Sequence, residues 1–190
     1  MEQPALIIVD VQNDFCPGGA LAVPEGDQII PIIQALAEDF HRQGLPIITT
    51  QDNHPPHHVS FAERGGPWPP HCVQGTPGFA LHPALKLPAH AVCLKGEDPD
   101  QDAYSGFEGL VEGVDGSREP LASFLHRLSV DTVYVAGLAT DYCVRATVLD
   151  ALNAGFHTVV LKDAIRGVDV HPGDSERALE EMAGRGAAIR

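Results

Sequence analysis

Hydrophobic residues along the chain alternate between short continuous runs and helical spacing. Residues 5–9 form an unbroken apolar run, which is typical of a strand buried on both faces. Residues 26–43 carry apolar side chains at helical spacing, and Gly44 follows where a helix is expected to end. Comparable patterns predict strands at 45–50, 91–94, 132–138, 158–161 and 187–189, and helices at 141–153 and 175–184.

This alternation of strands and helices predicts an α/β fold with a mainly parallel sheet of six strands. Two stretches interrupt the pattern: residues 52–87 are rich in Pro, Gly and His, and residues 97–116 are rich in Gly and Asp. Loops of this length in a compact domain usually serve a function or are disordered, and the aromatic and histidine content of the first favours function. Residues 113–119, which overlap the end of the second stretch, are expected to form a simple turn.

The length of 190 residues fits one domain, taken as 1–190. The net charge of −14 argues against nucleic-acid and anionic-membrane partners, which favour patches of Lys and Arg. No apolar run approaches the roughly 20 residues of a membrane span, and the N-terminal segment lacks signal-peptide features, so a cytoplasmic location is expected. Four scattered cysteines predict no disulfide there, and the sequence leaves a homo-oligomer open.

Chemically versatile side chains follow four of the predicted strands. Asp10 follows the first strand, and Asp52 follows the second, with His54 two residues later. Lys95 follows the third strand, and Cys143 comes shortly after the fourth. Because parallel strands place their carboxyl ends at one edge of a sheet, an acid, an Asp/His pair, an amine and a thiol are expected to converge there.

Cys143 is the candidate nucleophile at this edge. It lies in the first turn of a predicted helix, where the helix dipole and a nearby Lys95 ammonium would favour the thiolate. Asp10 could take the thiol proton and return it to a leaving group, and the N–H groups of Ala139 and Cys143 could form an oxyanion hole. The ordinary alternatives are a small buried cysteine, a strand-end carboxylate that caps backbone amides, and a solvated surface lysine.

Asp52, His54 and His71 form a candidate metal site. One carboxylate and two imidazoles, with positions left for water, suit a catalytic divalent ion such as Zn²⁺, Fe²⁺ or Mn²⁺. The alternatives are exposed histidines of a surface loop, or a structural zinc ion that uses Cys72. We therefore interpret the loop at about 52–88 as a region that binds metal and substrate.

Three aromatic residues accompany these groups along the chain. Phe15, Trp68 and Tyr104 could wall a pocket for a flat ring. Ordinary packing beneath a long loop accounts for them equally well. If these residues do wall a ring pocket, the expected partner is a small molecule.

Six stretches together resemble one protein family. They are ALIIVDVQNDF (5–15), TQDNHPPHHVSF (50–61), WPPHCVQGT (68–76), LKG (94–96), YSGF (104–107) and VAGLATDYCV (135–144). With these stretches the chain resembles the nicotinamidases, also called pyrazinamidases, of the isochorismatase-like cysteine hydrolase superfamily. The resemblance implies a Rossmann-like, three-layer α/β/α fold around the predicted sheet.

The resemblance also implies roles for the candidate residues. Asp10, Lys95 and Cys143 would form a catalytic triad. The three candidate ligands above would hold zinc, iron or manganese, with water completing the coordination shell. Ser60 or His58 would act from the outer shell of that metal site.

A substrate pocket and a reaction follow from the same resemblance. Phe15 and Trp68 would sandwich a pyridine ring, and a cis peptide bond from Leu138 would turn the Ala139 N–H into the oxyanion hole. The implied reaction is hydrolysis of nicotinamide to nicotinate and ammonia through a thioester, and pyrazinamide should also fit. Tyr142, beside the nucleophile, could tune substrate choice.

Two other functions are compatible with the sequence. An amidase of the same superfamily that cleaves an N-carbamoyl amine or a ureide would share the triad but have no use for the metal ligands. A non-catalytic protein that uses its metal-bearing loop as a partner surface would show no thiol reactivity at Cys143. Metal analysis and the alkylation rate as a function of pH would separate these functions.

Overall fold

The computed structural model describes residues 2–190 as an eight-stranded sheet with helices on both faces. Six strands run parallel, and a short antiparallel hairpin extends one edge of the sheet. The strands are β1 (Pro4–Val9), β2 (Ile47–Asp52), β3 (Ala91–Lys95), β4 (Leu110–Glu112), β5 (Arg118–Pro120), β6 (Thr132–Leu138), β7 (His157–Arg166) and β8 (Ala188–Ile189). Their order across the sheet is β5-β4-β3-β2-β1-β6-β7-β8.

Four α-helices cover the two faces of the sheet in residues 2–190. They are α1 (Ile30–Arg42), α2 (Leu121–Arg127), α3 (Arg145–Asn153) and α4 (Asp174–Gly184). On β1, Leu6 and Ile8 pack with α1, whereas Ile7 on the opposite face packs with the other three helices. The expected three-layer α/β/α arrangement is therefore confirmed. None of the helices in this part of the chain has the length and apolar content needed to cross a bilayer.

The number of strands differs from the prediction of six. All six predicted strands are present and parallel, and β4 and β5 are additional. Each of these two strands has only three residues, too few to give a period-two signal in a sequence. The turn between them is closed by a hydrogen bond of 2.7 Å from the Gly113 N–H to the Ser117 carbonyl. The seven-residue helix α2 directly after the hairpin was also not predicted.

Two predicted helices begin differently from the expectation. The helix expected at 141–153 starts as a π-helical turn, Thr140–Val144, and only then continues as α3. The helix expected at 26–43 starts as a 3-10 turn, Gly26–Ile29. Pro31 lies in the first turn of α1, where its missing N–H disrupts no helical hydrogen bond.

The order of the parallel strands reverses at β1, which pairs with β2 on one side and with β6 on the other. Ligands of open α/β sheets bind at such a switch point, beyond the carboxyl ends of the strands. Asp10 follows β1 directly, and Ala139 follows β6 directly. The fold therefore places the candidate residues at the edge where a ligand site is expected.

Candidate active site

Lys95 is the centre of a buried cluster of charged and thiol groups. Its ammonium nitrogen lies 2.8 Å from Oδ2 of Asp10, 2.5 Å from Oδ1 of Asp52 and 3.5 Å from Sγ of Cys143. Lys95 is 1% exposed, so it is not a solvated surface lysine. The ends of β1, β2 and β3 and the turn after β6 thus bring two acids, the amine and the thiol together.

Asp10 is held in an unusual backbone conformation at the end of β1. Its φ of 50° lies in the left-handed region, which is uncommon for residues other than glycine and concentrates at functional sites. Its Oδ1 accepts a hydrogen bond of 2.7 Å from the Thr50 hydroxyl. Its Oδ2 contacts Lys95 but has no aligned hydrogen-bond donor within residues 2–190. A lone pair of Oδ2 is therefore available to receive a proton.

Burial and charge together set the protonation of this cluster. Burial raises the pKa of Asp10, and the Lys95 ammonium offsets that effect only in part. Burial acts on Asp52 as well, but there Lys95 and His54 outweigh it and hold the pKa of the carboxyl well below its usual range. Burial alone would lower the pKa of Lys95, yet the two carboxylates raise it well above its ordinary value. Asp10 is therefore the member of the cluster suited to gain and lose a proton.

Cys143 lies in the π-helical turn after β6 and is 6% exposed. Lys95 acts to lower the pKa of Cys143, as expected, but the expected net preference for the thiolate is wrong. Burial, reinforced by the carboxylates of Asp10 and Asp52, outweighs the ammonium and raises the pKa of the Cys143 thiol well above its ordinary value. Burial therefore favours the neutral thiol, which needs a base to attack, and Asp10 is the adjacent candidate.

The segment before Cys143 has the backbone form that the family resemblance implied. The peptide bond between Leu138 and Ala139 is cis. The Ala139 carbonyl accepts hydrogen bonds from the N–H groups of Tyr142 (3.1 Å) and Val144 (3.0 Å), which closes the turn. The assignment of the Ala139 and Cys143 N–H groups to an oxyanion hole stays a prediction.

Asp52, His54 and His71 converge on one point beside this cluster. Nε2 of His54 lies 3.4 Å from Oδ2 of Asp52, and Nε2 of His71 lies 3.8 Å from the same oxygen. On the opposite side of each ring, Nδ1 of His54 is 2.8 Å from the Gly96 carbonyl and Nδ1 of His71 is 2.8 Å from the Pro69 carbonyl. Because a carbonyl only accepts, each neutral ring carries its proton on Nδ1 and directs an Nε2 lone pair toward the carboxylate.

This donor set fits a divalent metal ion. One atom from each of the three side chains lies within 4.8 Å of the others, and all three residues are buried. Metal-bound histidines characteristically donate their second ring N–H to a carbonyl, as both rings do here. Burial lowers the pKa of His54, but Asp52 outweighs it and raises that pKa, so positive charge is favoured at this Nε2. Cys72 belongs to no cluster of three donors among residues 2–190, so the structural-zinc alternative gains no support.

His58 and Ser60 lie behind Asp52, His54 and His71, which are called the metal-type residues below. The His58 ring stacks on His54, with centroids 4.0 Å apart. Its Nε2 lies 2.9 Å from the Gln101 carbonyl, and its Nδ1 lies 2.7 Å from the Ser60 hydroxyl. Since Nε2–H donates to the carbonyl, Nδ1 accepts from the hydroxyl, and both ring nitrogens are engaged. An outer-shell role for these two residues stays a prediction.

A pocket opens over the cluster and the metal-type residues. It contains about 470 Å³ of space free of atoms, including its open mouth. Its walls are mainly apolar with a few polar groups, as in many small-molecule sites. The lining comprises Phe15, Leu21, Val23, Asp52, His54, Trp68, His71, Asp102, Ala103, Tyr104, Leu138, Ala139, Tyr142, Cys143 and Val168.

Aromatic side chains shape this pocket. The Trp68 Nε1–H donates a hydrogen bond of 3.1 Å to the Tyr104 hydroxyl, and the Tyr142 ring meets Trp68 edge-on, with centroids 5.1 Å apart. The Phe15 ring lies 5.5 Å from the His71 ring. All three predicted pocket residues therefore line one cavity, and Tyr142 joins them.

Several polar residues that support the site were missed by the sequence analysis. The Gln12 side chain donates to the Asp52 carbonyl (2.8 Å) and accepts from the Asp52 N–H (2.9 Å), which fixes the end of β2. The Asp14 carboxylate accepts from the Cys72 N–H (2.8 Å) and so anchors the loop beside His71. The signal was present for both, since Gln12 and Asp14 belong to the DVQNDF stretch.

Comparison with known proteins gives matches over nearly the whole chain. A family model described as Isochorismatase domain matches residues 4–190. A nicotinamidase of Escherichia coli (strain K12) is 42% identical over 205 aligned positions, which cover 100% of this chain and 95% of that protein. A nicotinamidase/pyrazinamidase of Mycobacterium tuberculosis is 46% identical over 185 positions, which cover 94% of this chain and 93% of that protein.

A solved structure extends this similarity to three dimensions. The crystal structure of a pyrazinamidase of Pyrococcus horikoshii in complex with zinc has a TM-score of 0.89 and 49% sequence identity to this chain. The match covers 99% of this chain and 98% of that one. The similarity therefore includes the whole sheet and the edge that carries the candidate site.

Proposed function

Because the chain belongs to the isochorismatase family, we propose that it is an enzyme that hydrolyses nicotinamide to nicotinate and ammonia. Relatives support this proposal. Proteins named nicotinamidase and nicotinamidase/pyrazinamidase are 42% and 46% identical to this chain over nearly its whole length. Pyrazinamide, a ring analogue of nicotinamide, is the second expected substrate. The substrate class is an aromatic ring with a ring nitrogen and a carboxamide.

One observation carries this proposal: Lys95 contacts Asp10, Asp52 and Cys143 at the same time. The ammonium thereby links a thiol and its proton acceptor to the metal-type residues. A ring amide bound in this pocket would reach the thiol with its carboxamide while its ring nitrogen faces the metal-type residues. Holding the reacting groups together in this way supplies much of the rate gain of amide hydrolysis.

In the first half of the reaction, Cys143 attacks the carboxamide carbon. The thiol proton passes to Oδ2 of Asp10 as the carbon–sulfur bond forms, because burial makes the free thiolate unfavourable. The N–H groups of Ala139 and Cys143 are assigned to the developing oxyanion. Asp10 then gives its proton to the amide nitrogen, the carbon–nitrogen bond breaks, and ammonia leaves behind a thioester.

Water completes the reaction in the second half. Asp10, again ionised, takes a proton from the water molecule that attacks the thioester carbon. The carbon–sulfur bond breaks, Cys143 recovers its proton, and the acid leaves as nicotinate. Lys95 stays charged throughout, since two carboxylates raise its pKa, and it holds Asp10 in place. Cys143, Asp10 and water therefore account for every proton and bond in the reaction, and no organic cofactor is needed.

Asp52, His54 and His71 are assigned to a resident divalent ion, and zinc is the ion we expect. A bound ion supplies Lewis acidity and open ligand positions, for which a pyridine nitrogen is a suitable donor. The contribution of the chain is to orient the ligands through the Gly96 and Pro69 carbonyls. The pyrazinamidase of Pyrococcus horikoshii in complex with zinc supports this choice of metal.

Phe15 and Trp68 are assigned to the two faces of the bound ring. Both line the cavity, and Trp68 is fixed by its hydrogen bond to Tyr104. A rigid aromatic wall reduces the conformational entropy lost when the ring binds. His58 and Ser60 are assigned to the support of His54 through the stacked ring.

The test is ammonia release from nicotinamide and pyrazinamide, set against aliphatic amides, N-carbamoyl amines and ureides. We expect turnover of the two ring amides, and loss of turnover in Cys143→Ala with the metal content unchanged. Cys93→Ala, a change at a buried cysteine of β3, is the matched control and should keep activity. Cleavage of carbamoyl compounds by a protein that holds no metal would support the rival amidase instead.

The non-catalytic alternative is less compatible with the geometry. Asp52, His54 and His71 are each at most 4% exposed, so a metal ion held by them would lie inside a pocket rather than on a partner surface. The expected cytoplasmic location stays a prediction, which cell fractionation would check. A homo-oligomer likewise stays open, and sedimentation of the purified protein would decide it.

A further inference from the structure

Asp141 holds the loop that follows β7 against the turn that carries Cys143. This loop, residues 167–173, follows β7 and brings Val168 into the lining of the pocket. Oδ1 of Asp141 accepts a hydrogen bond of 2.9 Å from the Val168 N–H, and Oδ2 accepts one of 2.8 Å from the Asp169 N–H. A carboxylate that accepts two adjacent backbone N–H groups forms strong, charge-assisted bonds.

The far side of the same loop is held by α4. The Asp169 carboxylate accepts from the Ser175 N–H (2.7 Å) and from the Ser175 hydroxyl (2.8 Å). Asp169 itself has a φ of 51°, in the left-handed region. The loop is thus fixed between the turn that carries the nucleophile and the first turn of α4.

Gly167 shows how closely this loop is seated. A Cβ at residue 167 would lie 1.7 Å from the Ser175 hydroxyl oxygen and 3.2 Å from Oδ1 of Asp141. No side chain fits in that space without displacing one of these groups. The approach of the loop to Asp141 therefore depends on glycine at this position.

We propose that Asp141 is a positioning residue that sets the apolar wall of the substrate pocket by holding Val168. This inference rests on the proposed amidase function. Val168 packs beside the cluster that includes Val23 and Leu138, two further residues of the pocket lining. With the loop released, the wall recedes and the ring loses part of its contact surface.

Asp141 acts on binding and not on the chemical step. The largest charge effects on the Cys143 thiol come from Lys95, Asp10 and Asp52. Both oxygens of Asp141 are occupied by the loop. Its removal should therefore raise KM for the ring amide and leave kcat and the reactivity of the thiol close to their original values.

The experiment compares Asp141→Ala, Asp141→Asn and Gly167→Ala in the metal-loaded enzyme. We expect KM for nicotinamide to rise about five- to tenfold in Asp141→Ala and in Gly167→Ala, with kcat changed less than about twofold. Asp141→Asn keeps one acceptor oxygen and should give an intermediate KM. The rate at which iodoacetamide modifies Cys143 should equal that of the unaltered enzyme.

Asp131→Ala is the matched control. Asp131 lies just before β6, whereas Asp141 lies just after it. The Asp131 carboxylate also accepts two hydrogen bonds, one of 3.0 Å from the Gln3 N–H and one of 2.8 Å from the Thr132 hydroxyl. It lies at the opposite end of the strand, away from the pocket. The control should share any loss of stability and leave KM unchanged.

Each outcome decides the inference. An unchanged KM in Asp141→Ala, or a fall in kcat together with slower alkylation, overturns it. Amide hydrogen exchange in residues 167–173 measures how firmly the loop is held, independently of activity. It therefore separates failure of the proposed role of Asp141 from failure of the proposed function. Should the unaltered protein release no ammonia from nicotinamide, the function fails, while faster exchange in Asp141→Ala than in Asp131→Ala still supports the role in holding the loop. Equal exchange in the two variants overturns that role.

Discussion

The backbone of Gly96 lies directly against the imidazole of His54. The Gly96 carbonyl is 2.8 Å from Nδ1 of the ring, and a Cβ on Gly96 would come within 2.4 Å of the ring carbon Cε1. Gly96 also has a φ of +68°, which disfavours other residues. The residue directly after Lys95 is therefore both an acceptor for a metal-type histidine and a steric limit on its position.

Gly96→Ala should reduce metal binding and activity together. The added methyl group cannot fit beside the His54 ring, so the imidazole must move away from Asp52 and His71. We expect metal affinity and ammonia release to fall by about tenfold or more, as changes behind metal ligands typically do. Metal content by elemental analysis and kcat/KM for nicotinamide would measure this effect.

Gly44→Ala is a close control for this change. Gly44 has nearly the same φ, +69°, but a Cβ there would meet nothing within 4 Å. Both variants carry the strain of a left-handed alanine, about 1–2 kcal/mol, and only Gly96→Ala disturbs His54. Equal metal content in the two variants would show that Gly96 does not limit the ring.

Lys95→Met should destabilise the fold as well as abolish activity. Methionine has a similar volume, but it leaves the carboxylates of Asp10 and Asp52 without the ammonium that lies between them. Removing one partner of a buried ion pair costs about 3–5 kcal/mol, because the remaining charge stays desolvated. Urea unfolding of the metal-free protein would measure the change in the free energy of unfolding.

The double variant Lys95→Met/Asp10→Asn separates charge from packing. It removes one of the two like charges and should recover part of the lost stability without restoring turnover. Lys162→Met, at an exposed position of β7, should leave the free energy of unfolding nearly unchanged. A double variant no more stable than the single one would contradict the electrostatic explanation.

The positions of the site residues could be predicted because they follow strand ends. Asp10, Asp52 and Lys95 come at or directly after apolar runs, and the parallel order of the strands brings such ends to one edge. The pKa of Cys143 could not be predicted in the same way. It depends on the depth of burial and on the nearness of two carboxylates, and neither is visible in residue spacing.

Features that depend on distant backbone groups were also missed. Asp141 bonds to amides 27 and 28 residues later in the chain, and no local pattern marks those partners. The hairpin of β4 and β5 is too short to give a periodic signal. The family resemblance supplied what periodicity could not, including the cis bond before Ala139.

Removal of the metal should lower both activity and stability. A ligand that binds only the folded state stabilises it by mass action, by about 2.7 kcal/mol at a free concentration 100 times its Kd. Chelation should therefore abolish ammonia release and lower the thermal midpoint, and added divalent ions should restore both. Zn²⁺, Fe²⁺ and Mn²⁺ added in turn would identify the preferred ion.

His54→Ala and His57→Ala test whether the metal acts through the assigned site. His54 is buried beside Asp52, whereas His57 is exposed and pairs with Glu63. The midpoint of His54→Ala should no longer respond to chelator, and that of His57→Ala should respond like the unaltered protein. A full response in His54→Ala would place the stabilising ion elsewhere.

Alkylation of Cys143 in the metal-free protein should increase with pH only beyond the ordinary thiol range. Burial raises the pKa of this thiol, so the reactive thiolate is scarce near neutral pH and appears as the pH rises through that raised value. The measurement is the second-order rate with iodoacetamide against pH, with mass spectrometry of the peptide that contains residue 143. Cys143→Ala gives the background from the other three buried cysteines, Cys16, Cys72 and Cys93. A rate already at its plateau at pH 7 would mean that Lys95 outweighs burial, and attack would then begin from a preformed thiolate instead of from a thiol whose proton Asp10 removes.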